Sequence, residues 1–109
     1  MTVDEALKIL IPKLIEIYGD TIDSVVLYGS FARQQQTADS DVDIAVFVKK
    51  LPSKEIEDKI IAEVVDLELE TDRVLSLIDI DVAKYEAWVD TLPFYRNIRD
   101  EGISLWKAA

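Results

Sequence analysis

Eight residues, Asp41 to Val48, constrain this chain more than any other stretch. DVDIAVFV alternates as a β-strand does, with successive side chains on opposite faces. Val42, Ile44, Val46 and Val48 share one face, and Asp41, Asp43, Ala45 and Phe47 share the other. A face made wholly of branched aliphatics suits packing on helices. The other face opens with two carboxylates that point the same way, their Cα atoms roughly 6.5 Å apart. Like charges this close repel unless a cation lies between them. A hard divalent ion fits, since Mg²⁺ takes one or two carboxylates and completes its shell with phosphate oxygens and water. The spacing predicts a strand that is core on one side and a metal-binding edge on the other.

Ten residues separate Gly29-Ser30 from Asp41. Residues 23–28, DSVVLY, form a near-continuous apolar run, which predicts a buried strand that Gly29 ends. Without a Cβ, Gly29 lets an anion approach the backbone. A short helix over Ser30–Gln35 would aim free N–H groups and its dipole at a phosphate. The Ser30 hydroxyl adds a donor, and Arg33, one turn on, offers a charged fork. Each feature alone is common in turns. Together, on neighbouring strands, they would bring phosphate and metal to one end of a sheet, the layout that phosphoryl transfer needs.

The rest of the chain supplies a frame for that pair of strands. Residues 3–18 have Val3, Leu7, Leu10, Leu14 and Ile17 at helical spacing, Thr2 and Glu5 as a capping box and Gly19 as a stop. Pro12 within it predicts a kink or restart near Ile11. Pro52-Ser53 opens a helix to about Leu69, with Ile56, Ile60, Val64 and Leu67 inward. Residues 71–73 turn, and Val74–Ile80 reads as a third strand. After Asp81 the pattern is helical, with Val82, Tyr85, Trp88 and Val89 on one side. Pro93 starts a last helix that ends at Gly102. Ile103–Trp106 is an edge strand or an ordered tail. This order predicts one α/β (α+β) domain over residues 1–109, a small mixed sheet flanked by helices.

Composition narrows the function. The chain carries a net charge of −10, and its Lys and Arg are scattered. A long nucleic-acid substrate is disfavoured, because such binding leans on a basic stripe; a basic protein partner is easier to accommodate. The chain has no Cys and no His, so disulfides, thiolate chemistry, imidazole catalysis and histidine metal sites are excluded. No apolar run approaches the roughly 20 residues that span a bilayer. No signal peptide is read at the start, and the expected location is the cytoplasm.

GSFAR, the gap and SDVDIAVF resemble the signature of the minimal nucleotidyltransferases of the DNA polymerase β superfamily. The resemblance is close over residues 24–48, and the element order extends it along nearly the whole chain. It implies that Gly29 and Ser30 hold a nucleoside triphosphate. It implies that Asp41 and Asp43 bind Mg²⁺ and carry catalysis, transferring a nucleoside monophosphate with release of pyrophosphate. The superfamily usually adds a third acid from the next core strand, often as V-D-L-V. Aligning Leu75–Asp79 on that pattern puts Ser76 in the acid's place, with Asp79 and Asp81 on the opposite face of the strand. Either Asp79 substitutes through a shifted register, or Glu68 or Glu70 reaches in, or the metal site departs from the family at Ser76. Asp81 is expected to cap a helix.

A chain this short and acidic resembles the antitoxin half of HEPN/MNT toxin–antitoxin pairs. That implies ATP as the donor and a tyrosine hydroxyl of a HEPN-type toxin as the acceptor. Tyr85, Trp88, Leu92, Phe94, Tyr95, Ile98 and Trp106 are compatible with a partner surface or with closure of a small core, and a homo-oligomer is open as well. Two rival readings stand beside this one: an antitoxin that neutralises by binding alone, and transfer to a small molecule of the aminoglycoside type.

Overall fold

The computed structural model describes all residues from Met1 to Ala109. Helix α1 runs from Val3 to Tyr18. Its capping box forms as expected: Glu5 N–H donates to the Thr2 hydroxyl at 3.1 Å, and Thr2 N–H donates to Glu5 Oε1 at 3.2 Å. Gly19, at φ +62°, closes it by donating to the Ile15 carbonyl. The restart expected near Ile11 does not occur, and the helix continues through Pro12. The reason is positional. Leu10 and Leu14 on either side are fully buried and hold the helix to the sheet, while Pro12 itself lies on the solvent side. The carbonyl of Lys8, which loses its partner to the proline, is on an exposed residue and can bond water.

A short 3₁₀ turn, Gly19–Thr21, leads into β1 (Ile22–Tyr28), the four-residue helix α2 (Gly29–Ala32) and β2 (Val42–Val48). Helix α3 (Lys54–Thr71) starts on the Ser53 hydroxyl, which accepts from Ile56 N–H at 3.3 Å. It carries the chain across to β3 (Leu75–Asp81), parallel to β2, as a parallel pair requires a crossover. Helices α4 (Val82–Trp88) and α5 (Pro93–Glu101) follow, and β4 (Ile103–Lys107) completes the sheet as an edge strand. The strand order is β3-β2-β1-β4, with β1 antiparallel to both neighbours. This is the mixed α+β architecture expected from the sequence.

The two sides of the sheet are unequal. Val42, Ile44, Val46 and Val48 join Leu10, Leu14, Val25 and Ile60 in a cluster of 15 buried residues beneath α1 and α3. Fully burying such an aliphatic side chain contributes about 1.5–3 kcal/mol, so most of the stability lies on this side. The other side buries only Ala45, Phe47, Ile80 and Ile98, a cluster of four under α4 and α5. The thin cover leaves the strand end that carries Asp43 open, and several aromatics stay outside. Trp88, Leu92 and Phe94 are 49%, 38% and 47% exposed. Trp88 thus faces water rather than the interior, because α4 stops after seven residues and only Tyr85 of its ring-bearing residues reaches the sheet, edge-on to Phe47 at 4.7 Å.

Candidate active site

The antiparallel pairing of β1 and β2 puts Tyr28 across from Asp43. The chain leaves β1 at Gly29, so the turn and the Asp-x-Asp meet at the same end of the sheet. Gly29 has φ +75°, a conformation that favours glycine. It also sits hard against the acid. A Cβ at this position would overlap Oδ2 of Asp43 and lie 3.1 Å from its Cγ. The turn is tighter than expected: α2 begins at Gly29 itself and ends at Ala32, and Gln34 follows at φ +58°. No side chain caps its amino end, so Ser30 and the turn present backbone to an incoming ligand.

Asp41 is exposed just before β2, and Asp43 is half-buried within it. Burial, and then the negative charge of Asp41, push the Asp43 carboxyl above the usual carboxylate range; the Arg33 cation pulls the other way. Tyr28 is raised as well, by burial and then by the charge of Asp43. The loop before Asp41 is tied down by Arg73, which donates to the carbonyls of Thr37 and Ser40, each at 3.0 Å. Its guanidinium lies 4.9 Å from the centre of the Phe31 ring.

Arg33 is near enough to act on Asp43 but is engaged elsewhere. It donates to Glu101 Oε2 and to Gln35 Oε1, each at 3.2 Å. The pair with Glu101 is solvent-exposed, and exposed pairs are worth at most about 1 kcal/mol. A polyphosphate could therefore draw Arg33 away cheaply.

The parallel register of β2 and β3 decides the third acid. Asp43 pairs with Ser76, so Ser76 stands on the site face in the acid's place. Asp79 pairs with Val46, which is buried under α1 and α3 on the other face. There it accepts a hydrogen bond from the Tyr18 hydroxyl. The possibility that Asp79 completes the site is thus excluded by register. Glu68 is also accounted for, since it accepts from Leu75 N–H at 2.9 Å. Glu70 is exposed on α3, the helix that covers the opposite face. Asp81 caps α4, accepting from Ala83 N–H at 2.9 Å and Lys84 N–H at 3.1 Å.

No three ligating side chains come together anywhere in the chain. The residues present nevertheless fit a hard divalent cation of the kind that binds with a polyphosphate. Asp41 and Asp43 supply two carboxylates at one strand start, Asp43 raised by burial and then by the charge of Asp41, and the glycine brings the phosphate turn directly against the Asp43 carboxylate. Phosphate oxygens and water would supply the remaining ligands. Sequence reading missed Tyr28 and Glu101 as neighbours of the site. Tyr28 was legible as the residue before Gly29; Glu101 is brought to Arg33 only by the packing of α5 against α2.

Comparison with known proteins identifies the family and the fold. The family model described as polymerase beta, nucleotidyltransferase, matches residues 11–109. A protein of Methanocaldococcus jannaschii named "Putative protein adenylyltransferase MJ0141" is 36% identical over 61 residues, 56% of this chain and 62% of that protein. The matched segment thus spans less than two thirds of that relative. Among solved structures, a toxin–antitoxin with AMP-PNP superposes with a TM-score of 0.60 at 19% identity, over 93% of this chain and 73% of that one. A complex of a tri-AMPylated Shewanella oneidensis HEPN toxin with its MNT antitoxin gives 0.57 at 18% identity, over 97% and 74%. At such identities these structures establish a shared fold. With the family match covering nearly its whole length, the chain belongs to the polymerase beta nucleotidyltransferase family.

Proposed function

We propose that this protein transfers AMP from ATP to a hydroxyl of a partner protein, in the manner of an MNT antitoxin acting on a HEPN-type toxin. The observation that carries this reading is the contact between Gly29 and Asp43, which makes one site of the phosphate turn and the acidic pair. The likeness to the M. jannaschii protein named "Putative protein adenylyltransferase MJ0141", and to the fold of a toxin–antitoxin complex whose toxin is tri-AMPylated, supports the choice of adenylyl group and protein acceptor. The thin cover on the site face leaves room for an acceptor from outside.

In this reading Gly29 and Ser30 hold phosphates through the backbone and the hydroxyl, and Arg33 leaves Glu101 to neutralise them. Asp41 and Asp43 would hold Mg²⁺. When bound, that ion supplies charge neutralisation at the phosphates and orientation of the reacting groups. The acceptor oxygen attacks the α-phosphorus, the bond from that phosphorus to its bridging oxygen breaks, and pyrophosphate leaves. With Ser76 in the place of a carboxylate base, the hydroxyl proton is lost to water.

Radiolabelled ATP mixed with the partner tests the assignment. Label should pass to the partner with wild-type protein and not with the Asp41→Ala/Asp43→Ala protein; undiminished transfer by the double variant would sink the proposal. Ser76 supports a second reading, neutralisation by binding alone, because the site face lacks a third acid. Under that reading the double variant still neutralises the toxin. Under the first it binds but no longer neutralises.

A further inference from the structure

Helix α5 presents Phe94, Asn97, Ile98 and Glu101 along one side, spaced three and four residues apart as neighbours on a helix face are. Across from them lie Tyr28, Gly29 and Arg33, and the space between is an open cleft of about 200 Å³. Its inner end is the phosphate turn. Whole-ligand pockets run about 300–1,000 Å³, so this cleft suits one planar fragment of a ligand whose remainder lies outside. Two features say which fragment.

Phe94 is 47% exposed. Its ring meets Tyr28 edge-on, with centroids 5.7 Å apart and planes at 86°. This contact uses only part of the Phe94 ring, and the exposed remainder can stack on a flat aromatic. Pro93 at the first helical position fixes the backbone there. One turn on, the exposed Asn97 amide carries a donor and an acceptor side by side, and Glu101 adds carboxylate oxygens at the rim. An Asn amide matches the 6-amino group and adjacent ring nitrogen of adenine. On that edge, where adenine shows its 6-amino group and N7, guanine presents two acceptors, O6 and N7, so one of them faces the Asn97 carbonyl oxygen or the Glu101 carboxylate unpaired.

We propose that the cleft between α2 and α5 is the nucleobase subsite, where Phe94 stacks on the base and Asn97 with Glu101 selects adenine by its amino group. This rests on the nucleotide reading of the Gly29–Asp43 site. It adds a source of base selection that the phosphate and acid residues do not provide.

Equilibrium binding with Mg²⁺ tests it, using ATP, GTP and inorganic tripolyphosphate on the full chain. Phe94→Ala should weaken both nucleotides about tenfold, the range of one base–aromatic stack, and leave tripolyphosphate unchanged; Phe94→Trp should restore them. Asn97→Ala should shrink the preference for ATP over GTP about tenfold. Unchanged nucleotide affinity in both alanine variants overturns the subsite while leaving the phosphate site standing. Normal nucleotide affinity with lost transfer to the partner also overturns it, assigning the cleft to the acceptor. An equal loss of tripolyphosphate in Phe94→Ala overturns it too, by showing a general disruption. If wild-type protein binds neither ATP nor tripolyphosphate, the nucleotidyl-transfer reading falls first and takes this one with it.

Discussion

Ser76 lies directly across from Asp43 in the parallel pairing of β3 with β2. A side chain there shares the face and the strand level of the acid, which makes it the shortest route from β3 to the metal-binding edge. Ser76→Asp should therefore raise divalent-cation affinity about tenfold in the presence of nucleotide. In the ion-free protein it should lower stability, because a third negative charge joins Asp41 and Asp43. Titration with Mn²⁺ and thermal melting with and without metal read the two effects; a variant with unchanged metal affinity would argue that Ser76 does not face the site.

Gly29 should tolerate no side chain. Its positive φ costs an L-residue about 1–2 kcal/mol, and the added Cβ would overlap the Asp43 carboxylate. Gly29→Ala is expected to lose stability by at least that amount and to lose nucleotide binding. Combining it with Asp43→Ala removes the overlap but not the φ strain, so the double variant should be more stable than the sum of the two single effects predicts. Denaturant unfolding of the single and double variants measures this.

The raised Asp43 carboxyl links stability to pH. The folded state holds this proton at a higher pH than the unfolded state does, so stability declines as pH rises from the ordinary aspartate range through the raised value. Asp43→Asn removes that loss. The variant should melt above wild type at neutral pH, and the difference should vanish in acid, where the carboxyl is protonated in both states. Metal should erase the difference from the other side, by stabilising wild type alone.

Asp79 and Tyr18 should matter for folding and not for the site. Burial, and then the charge of Glu57, hold Asp79 above its ordinary range, against the Tyr18 hydroxyl bond, which lowers it. Tyr18→Phe is expected to cost about 1 kcal/mol, since a hydrogen bond to a partly solvated carboxylate is lost. Neither Tyr18→Phe nor Asp79→Asn should change cation or nucleotide affinity. A drop in metal binding by Asp79→Asn would mean that the β3 register differs from the one described.

Local pattern determined much of this molecule. The alternation of Asp41–Val48 separated core face from acid face, because a strand's period of two leaves no other choice. The Thr2–Glu5 box, Ser53, Asp81, Pro93 and Gly102 marked helix ends within a residue or so, because capping is chemistry between near neighbours. Gly29-Ser30 and the Asp-x-Asp became one site only through the antiparallel pairing of β1 and β2, which spacing alone did not require. Tertiary structure decided the rest. The β2–β3 register put Ser76 beside Asp43 and turned Asp79 to Tyr18. Burial of Leu10 and Leu14 carried α1 through Pro12. The seating of α5 gave Arg33 to Glu101 and walled the cleft at Gly29. Each depends on which distant segments share a desolvated surface, a free energy summed over the whole core rather than one written in any short stretch of chain.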